Sequence, residues 1–77
     1  MTKGETIKAV QALGLLCKWD GADFRVSFPV LYYTQQGFGL PAARARAEAT
    51  AYYTDCSVDA VMTAKSMALE LGALTNA

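Results

Sequence analysis

The chain has 77 residues, enough for one domain, and a chain of this size buries only roughly 60% of its unfolded surface. Hydrophobic residues make up 53% and charged residues 18%, which excludes a disordered chain and supports one compact core. Seven basic residues balance seven acidic residues, so no general attraction to nucleic acid or to an anionic membrane is expected.

The first predicted element is a helix over residues 3–13. Thr2 and Glu5 have the Thr-x-x-Glu spacing of a capping box, which predicts a helix that starts at Thr2. Gly14 suits the left-handed position that ends a helix. Between these signals, apolar residues recur at helical spacing: Ile7, Val10 and Leu13.

A β-hairpin is predicted next, around a tight two-residue turn at Asp20 and Gly21. Apolar residues alternate with polar ones on both sides of the turn, which places six of them on one face: Leu15, Cys17, Trp19, Ala22, Phe24 and Val26. A two-residue turn pairs Trp19 with Ala22 and Cys17 with Phe24. It also sets Lys18 opposite Asp23 on the other face.

The segment after the hairpin begins with Pro29, which predicts a bulge or the end of the second strand. Residues 29–41 are apolar yet rich in loop-forming residues. They are either a further piece of the strand with a loop at 35–42, or a long excursion. We expect an insertion at about 29–42 within a single domain that covers residues 1–77.

Residues 43–53 alternate strictly, with alanines on one face and Arg44, Arg46 and Glu48 on the other. The two-residue alternation favours a third strand, whereas the alanine content and Pro41 also fit a short helix with proline in its first turn. We favour strand for 48–54 and leave 40–47 open as strand, helix or loop. Arg25, on the outer face of the second strand, can pair with Glu48.

A last helix is predicted with Asp55 or Ser57 as its N-terminal cap, Asp59 in its first turn and Gly72 as its end, followed by fraying at 73–77. Its broad apolar stripe comprises Val58, Val61, Met62, Ala64, Met67, Ala68 and Leu71. The predicted fold class is therefore α+β, with a helix, a three-stranded antiparallel meander and a helix, in two layers. The first and third strands form the open edges of the sheet.

No catalytic motif, metal site or cofactor site is expected, so we do not expect an enzyme. The chain has no histidine, and its two cysteines, Cys17 and Cys56, form no CxxC pattern. We expect both thiols to be reduced and the protein to be cytoplasmic, with no secretory signal and no membrane span.

The aromatic residues supply the candidate binding surface. Trp19, Phe24, Phe28 and Tyr53 are expected in the core, whereas Tyr32, Tyr33, Phe38 and Tyr52 are harder to bury together. Tyrosines near a glycine-containing loop are typical of interfaces, although a core role remains an alternative. Arg44 and Arg46 could contact phosphate or an acidic partner, against the alternative of a solvated face. The predicted partner-binding residues are therefore Tyr32, Tyr33, Phe38, Arg44 and Arg46.

Three stretches carry a resemblance. An Arg-Val-x-Phe strand ends at Phe28, the run Ala-Thr-Ala-Tyr-Tyr-Thr-Asp occupies 49–55, and an Asp-Ala pair follows at 59–60. Over 15–28 and 48–68 the chain resembles short bacterial and prophage proteins that have no known activity, cofactor or catalytic residue. The resemblance implies a bacterial or phage origin. The link between the second and third strands is longer here.

The element order is also similar to the double-stranded RNA-binding domain, an analogy of fold alone. That family holds phosphates with lysines at the start of its last helix, where this chain has the acidic residues Asp55 and Asp59. We therefore expect a small protein that binds a protein partner, with nucleic-acid binding as the alternative. A homodimer through 29–41 or the edge of the third strand is expected; the alternative is a monomer with this arm folded back.

Overall fold

The structure is a computed structural model that describes residues 1–75. The chain forms, in order, α1 (Lys3–Ala12), β1 (Leu16–Trp19), β2 (Phe24–Ser27), α2 (Val30–Thr34), α3 (Leu40–Ala49), β3 (Tyr52–Thr54) and α4 (Ser57–Thr75). The strands form an antiparallel sheet in the order β1-β2-β3. The predicted α+β class and meander are confirmed, and two short helices lie between β2 and β3.

Residues close together in the sequence determine both ends of α1. The Thr2 hydroxyl accepts the Glu5 N–H at 3.1 Å, and the Glu5 carboxylate accepts the Thr2 N–H at 2.8 Å, so the predicted capping box is confirmed. This backbone hydrogen bond from Thr2 lowers the pKa of Glu5. At the other end, Gly14 has φ +89°, the left-handed conformation expected there.

The hairpin has the predicted faces but a different register. Trp19 pairs with Phe24, Cys17 with Val26 and Lys18 with Arg25. The predicted pairs are therefore wrong: Trp19–Ala22, Cys17–Phe24 and Lys18–Asp23. The cause is the turn. Asp20 keeps a negative φ, and its carboxylate accepts the backbone N–H groups of residues 22 and 23 at 2.9 and 2.7 Å, which closes a four-residue loop. A shift of two residues leaves every side chain on its predicted face.

The middle segment is helical. β2 ends at Ser27, as Pro29 predicted, but 29–41 is neither strand nor a long loop, because α2 begins at Val30. The strand favoured for 48–54 is right for Tyr52–Thr54 and wrong before it, since α3 continues to Ala49. Pro41 lies in the first turn of α3, where a missing N–H costs nothing.

The last helix begins at Ser57, and Asp59 lies in its first turn as predicted. Ala60 donates its N–H to the Cys56 carbonyl at 2.9 Å, so the cap position is Cys56 and not Asp55 or Ser57 as predicted. The helix does not end at Gly72, because α4 continues to Thr75. The fraying predicted for 73–77 stays a prediction, because a helical backbone up to Thr75 does not test it, and residues 76–77 lie outside the described part of the chain.

The core lies between the sheet and the pair α1 and α4, which pack against each other and against one sheet face. The buried apolar side chains of this layer come from the hairpin, α1 and α4: Val10, Leu15, Cys17, Phe24, Val26, Ala60 and Ala64. The chain is flat, with principal extents of 36 × 25 × 14 Å. The second face of the sheet is partly open, because Tyr53, expected in the core, is 46% exposed there.

Candidate protein-binding surface

The predicted binding tyrosine Tyr33 is a core residue. It is 7% exposed, and its ring makes edge contacts with Phe28 and Phe38. Its hydroxyl lies 2.7 Å from the Thr50 hydroxyl. Because the single Thr50 proton is donated to the Arg46 carbonyl at 2.8 Å, Tyr33 is the donor in this pair. Tyr33 therefore joins α2 to the end of α3 and offers almost no surface to a partner.

Tyr32 and Phe38, also predicted to bind a partner, are half-buried. Tyr32 stacks on Phe28 with ring centroids 4.3 Å apart, and its hydroxyl points to Glu70 on α4 at 3.5 Å. Burial, followed by the charge of Glu70, raises the pKa of Tyr32. The Arg46 guanidinium lies 4.1 Å from the centre of the Phe38 ring and covers it. Tyr32 therefore connects α2 to α4, and Phe38, in the loop after α2, contacts α3.

The two predicted arginines have different surroundings. Arg46 covers Phe38, whereas Arg44 is exposed on α3 and has no ion-pair partner among residues 1–75. The five predicted residues thus divide between the core, the contacts of α2 and an open helix face. Binding of nucleic acid through Arg44 and Arg46 stays a prediction.

A polar network crosses the open face of the sheet. The register brings Lys18, Arg25 and Tyr53 into one row across the three strands. Glu48, at the end of α3, accepts from Arg25 at 2.5 Å and from the Tyr53 hydroxyl at 3.2 Å, which confirms the Arg25–Glu48 pair. The hydrogen bond from Arg25 is the main cause of the lowered pKa of Glu48. These contacts connect the end of α3 to the sheet.

A second polar contact ties β3 to α4. The Tyr52 hydroxyl donates to Asp59 at 2.6 Å. That hydrogen bond raises the pKa of Tyr52 and lowers the pKa of Asp59. Asp59 therefore orients the start of α4 relative to the sheet edge, in addition to its favourable position at the helix N-terminus.

A row of exposed apolar side chains runs along the outward side of α4. Val58 is 66% exposed, Met62 58% and Leu69 77%, and the exposed Lys65 lies between them. At about 100° per residue these four positions share one side of the helix, roughly 150° from the mean direction of the buried residues Ala60 and Ala64. We call residues 58, 62, 65 and 69 the outward stripe of α4.

Sequence reasoning did not identify this surface, because the predicted broad apolar stripe combined both sides of the helix. A signal was present: Val58, Met62 and Leu69 are out of phase with Ala60, Ala64 and the half-buried Leu71. A helix with apolar residues on two opposite sides has more than one packing surface.

Within residues 1–75 no three His, Cys, Asp or Glu side chains are grouped to hold a metal ion, and no pocket is found. None of the helices described there has the length and apolarity that a bilayer-spanning helix requires. Comparison with protein-family models, with curated proteins and with solved structures finds no match to this chain.

Proposed function

We propose that this chain is a small non-enzymatic protein-binding protein and that it binds its partner through the outward stripe of α4. The observation that carries the proposal is the exposure of Val58, Met62 and Leu69 on one side of a helix that is already buried on the other. Single exposed apolar residues are ordinary, whereas a row at helical spacing is the recognition pattern of a helix that packs on another helix or in an apolar groove.

The stripe supplies part of the free energy that association requires. Full burial of a Val, Leu or Met side chain is worth roughly 1.5–3 kcal/mol, so covering three side chains that are about two-thirds exposed contributes about 3–6 kcal/mol. Association itself costs roughly 4–15 kcal/mol in lost rigid-body freedom, so the partner must bring further apolar area. A partner of matching chemistry is a helix with its own apolar row.

Two other features agree with a binding protein of the cell interior. Cys17 and Cys56 are both free thiols, which suits a reducing compartment such as the cytoplasm. The formal net charge of zero gives no electrostatic preference for nucleic acid, so apolar burial is the main source of affinity.

A photo-crosslinking residue at Met62 tests the proposal in lysate of the source organism. The matched control carries the same residue at Leu31, which is 61% exposed on α2. We expect protein adducts at position 62, with this chain or another, that disappear when Val58→Ser and Leu69→Ser are added. Adducts no more abundant at 62 than at 31, or adducts that survive the two serines in a folded variant, contradict the proposal.

A further inference from the structure

We propose that the occupant of the outward stripe is a second copy of this chain, and that the two α4 helices cross antiparallel about a two-fold axis near residues 63 and 64. This inference rests on the proposed function, because it names the partner for the same surface. It replaces the dimer interfaces predicted from the sequence.

The spacing of the stripe supports a self-complementary interface. Positions 58, 62, 65 and 69 are separated by four, three and four residues, an order that is the same in both directions. A two-fold axis at the centre therefore sets Val58 against the partner's Leu69, and Met62 against the partner's Lys65. Lysine can cover the methionine with its four-carbon stem while its ammonium stays in water. Isologous contacts of this kind are usual in homodimers.

Charge selects the antiparallel direction. In a parallel pair, Lys65 would face the partner's Lys65 across the interface, and like charges oppose each other. In the antiparallel pair, Lys65 instead faces the partner's Met62, so this repulsion is absent. The net charge of zero leaves little overall repulsion between two copies.

The other two candidate interfaces have fewer large exposed apolar side chains. Residues 29–41 are folded against their own chain, with Tyr33 buried and Phe38 covered by Arg46, and they leave two such side chains exposed, Leu31 at 61% and Leu40 at 51%. β3 has three residues, Tyr52–Thr54, and Tyr52 is already bonded to α4. The stripe on α4 has three large exposed side chains and small flanking residues such as Ser66.

Sedimentation of the purified protein is the first test. We expect a reversible monomer–dimer equilibrium between 10 and 500 micromolar, roughly the range for one apolar helix contact. Met62→Lys, which adds a charge beside the partner's Lys65, should weaken association at least about tenfold, an energy of roughly 1.4 kcal/mol. Leu31→Lys is the matched control and should leave it unchanged. A monomer throughout, or a dimer that Met62→Lys does not weaken, overturns the proposal.

Crosslinking then tests the direction. In a Cys56→Ser background, we would make Val58→Cys and Leu69→Cys separately and treat each, and their mixture, with a short bis-maleimide. Two copies of residue 58 lie about 16 Å apart in the antiparallel dimer, whereas 58 and 69 of the partner lie opposite each other. We expect crosslinked dimer from the mixture and little from either variant alone. Efficient crosslinking of Val58→Cys alone overturns the antiparallel arrangement.

The two proposals fail in different ways. If the purified chain is monomeric but the probe at Met62 captures another protein, the dimer is wrong and the binding surface stands. If the chain dimerises without involving α4, and position 62 gives no adduct, both proposals are wrong.

Discussion

The hydrogen bond between Tyr33 and Thr50 gives the sharpest test of the fold, because its two ends should not contribute equally. Tyr33→Phe removes the donor but leaves Thr50 bonded to the Arg46 carbonyl and accessible to water, so we expect a loss of about 1 kcal/mol. Thr50→Val removes the acceptor and leaves a phenolic O–H unpaired on a 7%-exposed residue, which costs about 1–3 kcal/mol.

The asymmetry has a measurable consequence in the double variant. Once Tyr33→Phe has removed the donor, Thr50→Val leaves no buried polar group unpaired. The loss of unfolding free energy caused by Thr50→Val should therefore be about 1 kcal/mol smaller in the double variant. For a domain of this size, stability is roughly 4–12 kcal/mol, and 1 kcal/mol shifts Tm by about 4–8 °C. Both effects are resolvable by urea and thermal unfolding followed by circular dichroism.

A third variant controls for side-chain shape. Thr50→Ser keeps the hydroxyl and should stay close to the parent in stability. The reasoning is refuted if the two single costs add in the double variant to within about 0.3 kcal/mol, because independent sites behave in that way. It is also refuted if Tyr33→Phe costs more than Thr50→Val.

The remaining predictions concern a backbone position, an ion pair and the thiols. Gly14→Ala forces a left-handed conformation on alanine and should cost about 1–2 kcal/mol, and an unchanged urea midpoint would contradict this. The bond from Arg25 lowers the pKa of Glu48 below its usual 4.5, so its stabilisation is present above that pH and lost as pH falls. The stability gap between parent and Glu48→Gln should therefore be widest near neutral pH and shrink in acid, and a gap equal at pH 7 and pH 3 would exclude the linkage. Cys56 is exposed, whereas burial raises the pKa of the Cys17 thiol, so a thiol reagent should label one site in the native protein and two in denaturant. Equal labelling rates for Cys17 and Cys56 in the native protein would contradict this prediction.

Elements governed by neighbouring residues were predictable from the sequence. The capping box at Thr2 and Glu5 and the glycine at position 14 act within one helical turn, so no distant contact is needed to specify α1. The faces of the hairpin were predictable for a similar reason. Alternation has a period of two, and a change in loop length from two to four residues keeps it.

The register of the hairpin depends on the type of turn at Asp20 and Gly21, which the sequence leaves open. A two-residue turn requires a positive φ at Asp20, whereas its carboxylate can instead accept two backbone N–H groups. Both options are compatible with the dipeptide Asp20-Gly21, and pairing along the rest of the hairpin decides between them.

Residues 40–49 needed the tertiary structure for a different reason. Alanine at every second position fits a strand, and alanine is also the best helix former. Packing decided the outcome: α3 lies against α2, and the helical spacing of Ala43 and Ala47 lets both be buried. The periodicity of a sequence does not show whether the segment will pack against another helix.

The candidate surface was the part least accessible from sequence. Composition showed that α4 is rich in apolar residues, but which of them face inward depends on where α1 and the sheet lie. Those elements cover the side of α4 that carries Ala60 and Ala64, and they leave Val58, Met62 and Leu69 in solvent. The sequence determined that this helix has apolar residues on two sides. The tertiary structure decided which side is core and which is open to a partner, because burial is a property of the packed layers and not of one helix.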